Sequence, residues 1–133
     1  MNAMDITAPS LDDIESMARD AIASLPEPFR GPAALIAVVV EEFAPVDMLA
    51  DLDMDAFELT GLYDGIPLTQ KSVMDQPTGP DTVWLFRRPI LDEWADRGNV
   101  TLRELVSHVT VHELAHHFGW SDEDIARIDK WWE

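Results

Sequence analysis

Three features of the sequence predict an α+β fold. Apolar residues at helical spacing mark segments near both ends of the chain. Between them lie an apolar run rich in β-branched residues and a shorter alternating run. Residues 101 to 118 form a long helical pattern that is apolar over much of its circumference. At 133 residues the chain reads as one domain, residues 1–133, large enough to bury about two-thirds of its unfolded surface around a single core. It has no cysteine, so there are no disulfides or thiolate ligands, and any metal must be held by nitrogen and oxygen.

Taken in order, Ser10 followed by Leu-Asp-Asp is a helix start, with acids in the first turn where the helix dipole favours them. Leu11, Ile14, Met17, Ala18, Ala21, Ile22 and Leu25 form its core-facing stripe, and Pro26 and Pro28 end it. Phe29 to Pro32 reads as a loop. Ala33 to Phe43 suits a buried strand, and its continuous apolarity predicts cover on both faces. Residues 44 to 58 carry Pro45 and the acids Asp47, Asp51, Asp53, Asp55 and Glu58, and read as an exposed connection with a short turn of helix. The alternating aspartates do not make a calcium loop of the EF-hand kind, because Ala56 and Leu62 stand where Gly and Glu are needed.

Leu59 to Leu68 fits a hairpin with Asp64-Gly65 at its tip. Residues 69 to 81, with two prolines and a glycine, form a loop. Thr82 to Arg87 is a strand that places Val83 and Leu85 on one face and Trp84 and Phe86 on the other. Pro89 suits the first turn of a helix that stops at Gly98. Thr101-Leu-Arg-Glu104 is a capping box opening the long helix, and Ser121-Asp-Glu-Asp124 starts a terminal helix running through Ile125, Ile128 and Trp131.

The chemistry concentrates between residues 108 and 124, which hold all four histidines. His112 and His116 are four apart and lie one turn apart on one helical face, where two imidazoles can hold one metal ion. Glu113 follows the first of them. In this HExxH arrangement the glutamate sits beside the metal without binding it and can take a proton from a water that the metal activates. Gly119 is placed to end the helix in a left-handed cap, after which the chain can turn back and bring an oxygen ligand to the metal. Asp122 is the candidate, with Glu123 and Asp124 as alternatives, since all three are also ordinary first-turn acids of the next helix.

His108 extends the row to i, i+4, i+8, but eight residues rise about 12 Å, whereas two nitrogens on one zinc are at most about 4 Å apart. It is read as packed or as support for a ligand. His117 points about 100° away from His116 and is read as a hydrogen-bonding partner or a cleft residue. Tyr63, the only tyrosine, is open to two readings, a phenol beside a developing oxyanion or, more commonly, a buried structural residue.

The string His112-Glu113-x-x-His116-x-x-Gly119-x-x-Asp122 resembles the HExxHxxGxxD pattern of the Asp-zincins. Together with GLYDGIPLT at 61 to 69 and TVWLFRRPILDEW at 82 to 94, it is similar to the small prokaryotic zincin-like metallopeptidases. The resemblance covers most of the chain and is strongest over residues 61 to 125. It implies a minimal zincin-like metalloprotease domain, with a short mixed sheet packed on helices. It also implies one Zn2+ per chain held by His112, His116 and Asp122, and Glu113 as catalytic base in the hydrolysis of peptide bonds. Larger metzincins carry a methionine turn beneath the metal, and here no methionine follows Met74.

The net charge of −17 argues against nucleic acid and anionic membranes as partners, because both are repelled on approach. A cationic peptide substrate or a basic partner protein would be steered in, and a merely solvated acidic surface is the simpler use of the same charge. The first residues lack the basic and apolar regions of a secretory leader. The longest apolar run, Pro32 to Val40, is far too short to span a bilayer. Cytoplasmic residence is therefore expected.

Two other functions fit the same residues. One is a zincin-like protein of little or no activity that acts as a metal-stabilised binding or regulatory module. The other is an iron or manganese site, since two histidines and a carboxylate also suit iron, although Glu113 then has no role.

Overall fold

The computed structural model describes residues 8–64 and 81–128. Its first helix, α1 (Leu11–Ala23), opens with a capping box. Ser10 Oγ accepts from the Asp13 N–H, and the Asp13 carboxylate accepts from the Ser10 N–H. Ile14, Ala18 and Ile22 are buried along one stripe, as the spacing predicts, and Leu25 continues it past the helix end.

The expected loop before the first strand is instead a single helical turn, α2 (Arg30–Ala33), and the strand is shorter than its apolar run, β1 (Ala37–Glu41). It is not covered on both faces. Within it only Val38 is buried, and among the described residues β1 stands at one edge of a three-stranded sheet of order β1-β3-β2. The acidic connection contains α3 (Val46–Leu52), which ends at Asp53 in a left-handed conformation.

β2 (Gly61–Asp64) is the described part of the expected hairpin, and it pairs antiparallel with β3 (Thr82–Phe86), Gly61 opposite Leu85 and Asp64 opposite Thr82. Asp64 is thus a paired strand residue. Gly65, expected at the tip, and the returning limb to Leu68 lie outside the described residues. β1 runs parallel to β3, with Ala37 opposite Thr82 and Glu41 opposite Phe86. The sheet is short and mixed.

Central β3 carries the full two-sided burial. Val83 and Leu85 enter the main core, while Trp84 and Phe86 join a second cluster with Ala44, Leu59 and Leu62. Its second face therefore meets a protein neighbour, the segment around α3, as alternation allowed. α4 (Arg87–Arg97) follows without a break, with Pro89 in its first turn, and stops at Gly98, whose φ of 71° a side chain would strain. The Trp94 indole N–H donates to the Val100 carbonyl at 3.0 Å, so this tryptophan is spent on packing the turn.

α5 (Leu102–Phe118) is the spine. The Thr101/Glu104 capping box is formed as read, with the Glu104 N–H donating to Thr101 Oγ1 at 3.0 Å and the Thr101 N–H donating to Glu104 at 3.2 Å. α1, α4, β2, β3 and the terminal helix α6 (Asp122–Ile128) all pack on it. Leu105, Val106, Thr110 and Leu114 are inaccessible to solvent. Buried Thr110 returns its hydroxyl to the Val106 carbonyl at 2.7 Å, leaving no unmet donor. Each large apolar side chain so buried contributes roughly 1.5–3 kcal/mol, which makes α5 a rigid platform. No helix among the described residues is long and apolar enough to cross a membrane.

β2 reaches α5 through Gly61. A Cβ at that position would lie 2.7 Å from Val109 Cγ1 and 3.2 Å from the Trp84 carbonyl oxygen. Gly61→Ala is therefore expected to destabilise the protein by roughly 1–3 kcal/mol in urea unfolding, and by clearly less in a Val109→Ala background, where the obstructing methyl is gone. Thr101→Ala should cost about 1 kcal/mol by the same measurement, through loss of the cap.

Candidate metal centre

Past its first turn, the exposed residues of α5 are His112 and His116. A helix buried on nearly every side thus turns to solvent the pair that the motif marks. His108 is half-buried, and its ring lies against that of His112 with centroids 4.2 Å apart. It packs on the candidate ligand, as the rise along the helix required.

A second row runs beside the first, one residue further on. Glu113 and His117 are also four apart and face β2. Glu113 is half-buried, and burial pushes its carboxyl above the ordinary range, partly opposed by His116 and by the nearby main chain of Tyr63. The strand register decides which main-chain groups of β2 face away from β3. The Phe86 N–H donates to the Thr60 carbonyl at 2.9 Å. The antiparallel alternation then directs the N–H and C=O groups of Gly61 and Tyr63 away from β3.

His117 is 4% exposed. Its Nδ1 lies 2.9 Å from the Tyr63 hydroxyl and 3.3 Å from Asp81 Oδ2, and the Tyr63 ring meets the imidazole edge-on at 5.1 Å. A proton on Nδ1 serves both neighbours, since a carboxylate only accepts and the phenol oxygen has lone pairs to offer. Burial first, then the negative charges of Asp81 and Asp64, push the Tyr63 phenol up to about 12. It keeps its proton throughout the working range. Of the two readings left open for Tyr63, the hydrogen-bonded structural one describes this arrangement.

The end of α5 directs the chain toward the third candidate. Gly119 takes a φ of 67°, and its N–H and that of Trp120 both return to the Ala115 carbonyl. Trp120 stacks on Phe118 and meets Phe29 edge-on, which fixes the turn. Ser121 then caps α6. Its Oγ accepts from the Asp124 N–H, and Asp124 accepts from the Ser121 N–H. Asp124 also pairs with Arg127, which with the Ser121 N–H holds its carboxyl below the usual range. That acid is committed to the cap. Asp122 and Glu123 are exposed in the first turn of α6.

His112 and His116 suit zinc as accessible nitrogen donors one turn apart. Among the described residues no three His, Asp or Glu side chains are gathered to hold a metal, so Asp122 stands on the neighbouring helix rather than in an assembled triad. Two residues that build the site were not singled out from sequence. Gly61 reads locally as an ordinary strand glycine, and Asp81 as the end of a loop.

No curated protein matches the chain. The family model for zincin-like metallopeptidases matches residues 33–132, a span that contains the whole sheet, both rows of α5 and α6. The chain belongs to the zincin-like metallopeptidase family.

Proposed function

We propose that this protein is a zinc-dependent peptidase in which His112, His116 and Asp122 hold one zinc ion per chain and Glu113 is the general base. The observation that carries the reading is the pairing on α5 of two exposed imidazoles with a half-buried carboxylate whose affinity for protons is raised. Zinc, when bound, supplies a Lewis acid that makes a water nucleophilic near neutrality and polarises a carbonyl. Glu113 accepts the proton of the attacking water and hands it to the leaving amine. Its raised pKa suits this work, because a base poised nearer neutrality can both take and return a proton.

β2 supplies a place for substrate. The outward N–H and C=O of Gly61 face away from β3, and no other strand pairs on that side among the described residues. An extended peptide adding there would be held by main-chain bonds, and so with little sequence preference. Glu113 lies against the same strand, its Cγ 3.4 Å from where a Cβ at Gly61 would stand. A second reading, a metal-stabilised binding module for a basic partner, is supported by the net charge of −17.

Mass spectrometry of the purified protein under native conditions should find about one zinc per chain, lost in His112→Ala and weakened in Asp122→Ala. A peptide-library digest should show Glu113→Gln slower by about 10²–10⁴-fold while keeping its metal. Identical product lists from wild type and variant would instead favour the binding module.

The same substitution separates function from stability in the zinc-free protein. A carboxyl whose pKa is raised by folding contributes stability that is fully present below its ordinary value of 4.5 and lost as pH rises through its folded value. Glu113→Gln should therefore melt at a higher temperature than wild type at pH 7, and the gap should close in acid below that value.

A further inference from the structure

We propose that His108 and His112 form a second seat for the metal ion on α5, one turn N-terminal to the His112/His116 pair and exclusive with it. The inference goes beyond the peptidase reading and takes from it only that His112 and His116 are the first seat. The rule that makes a chelate of those two residues applies equally to His108 and His112, which are also four apart. Here the structure adds a contact. The two rings lie together, with centroids 4.2 Å apart and planes tilted by 57°. Nitrogens on one zinc stand at most about 4 Å apart, so a small rotation of the rings aims one nitrogen of each at a common point. Helical side chains lean toward the N-terminus, which is why the ring of His112 rests on that of His108.

The two seats cannot be filled together. His108 and His116 are eight residues apart, a rise of about 12 Å, too far for one ion to hold all three imidazoles. A neutral imidazole has one lone pair to give a metal, because its other nitrogen carries a proton. His112 therefore serves one seat at a time, and the seats lie about 6 Å apart along the helix. The first seat adds the proposed carboxylate of Asp122, just past the C-terminal end of α5, and is the tighter of the two. The second has two nitrogens and is completed by water. His108 is half-buried and His112 exposed, so this seat has a protein wall on one side and opens to solvent on the other. Its use is capture, since an ion that arrives beside His112, or leaves His116, is kept on the helix.

Zinc titration of the intact chain, with a chromophoric chelator as competitor, tests the second seat by binding alone. The double variant His108→Phe/His116→Ala breaks both pairs and sets the baseline. His116→Ala breaks only the first pair. It should hold about one zinc per chain, less tightly than wild type but at least about tenfold tighter than the double variant, because a second ligand on the same helix binds intramolecularly. His108→Phe, which keeps the ring and removes its nitrogens, should bind zinc as wild type does. In an NMR titration of His116→Ala with zinc, the imidazole resonances of His108 and His112 should both shift.

Zinc held no more tightly by His116→Ala than by the double variant would overturn the proposal. So would a His108 ring whose resonances stay in place as zinc is added to His116→Ala. If the double variant does not fold, those resonances decide, since His116 is exposed and its replacement leaves the core intact. The two readings fail separately. A wild type that binds zinc tightly beside a His116→Ala protein at the baseline removes the second seat and leaves the peptidase reading standing. A zinc-loaded wild type that cleaves no peptide, beside a His116→Ala protein that holds zinc through His108, does the reverse.

Discussion

The burial of α5 is the constraint on which the other features depend. A helix contacted by α1, α4, α6 and two strands must be apolar almost all round, and such a helix has little room for polar chemistry. Here the room is a narrow pair of rows, one open to water with His112 and His116 and the next turned to β2 with Glu113 and His117. Because neighbouring rows on a helix differ by a single residue, the two exposed imidazoles and the half-buried carboxylate are set side by side by the backbone itself. No loop has to fold correctly to place them, and the capping box at Thr101 together with the left-handed stop at Gly119 fixes where the platform begins and ends.

The approach of β2 is the second element of the site, and it depends on an absence of atoms. Gly61 admits Val109 where any Cβ would collide, and it brings the strand against Glu113, whose Cγ lies 3.4 Å from where that Cβ would stand. Burial of that carboxylate is a cost, since desolvation disfavours its charge. His116 and the nearby main chain of Tyr63 recover part of it. The balance leaves the carboxyl raised, which suits a base and taxes the fold at neutral pH. The large apolar interior of Ile14, Leu85, Ile90, Leu105 and Leu114 supplies the stability that such a site spends.

What the sequence reveals and what it hides divide by sequence separation. The helix starts at Ser10, Thr101 and Ser121 with their caps, the strand Thr82–Phe86 and the His112/His116 pair are local patterns, four residues or fewer between partners, and they stand where the sequence places them, whereas the turn α2 was expected as a loop. The apolar run Ala33 to Phe43 does not show where its strand begins, since Ala33 closes the helical turn α2 and only Ala37–Glu41 pair with β3. The link from His117 to Tyr63 spans 54 residues, and the close approach of β2 to Glu113 at Gly61 leaves no side-chain signature on the strand. Gly61 could have been suspected only as a glycine opening a strand, a sign of close backbone approach.

Asp122 shows how local and long-range demands can meet in one residue. In the first turn of α6 its carboxylate is favoured by the helix dipole, an effect worth roughly 0.3–1 kcal/mol at an exposed site. Ser121 and Asp124 hold the cap by themselves, so α6 does not depend on Asp122 for its start. A structural zinc ion returns on the order of 10 kcal/mol on binding, far more than the dipole term. Recruitment of Asp122 as the proposed third ligand is therefore limited by the reach of the Gly119–Ser121 turn and not by the stability of the helix it begins. That turn is itself tied down, through Trp120 on Phe118 and Phe29, to the end of the same helix that carries His116.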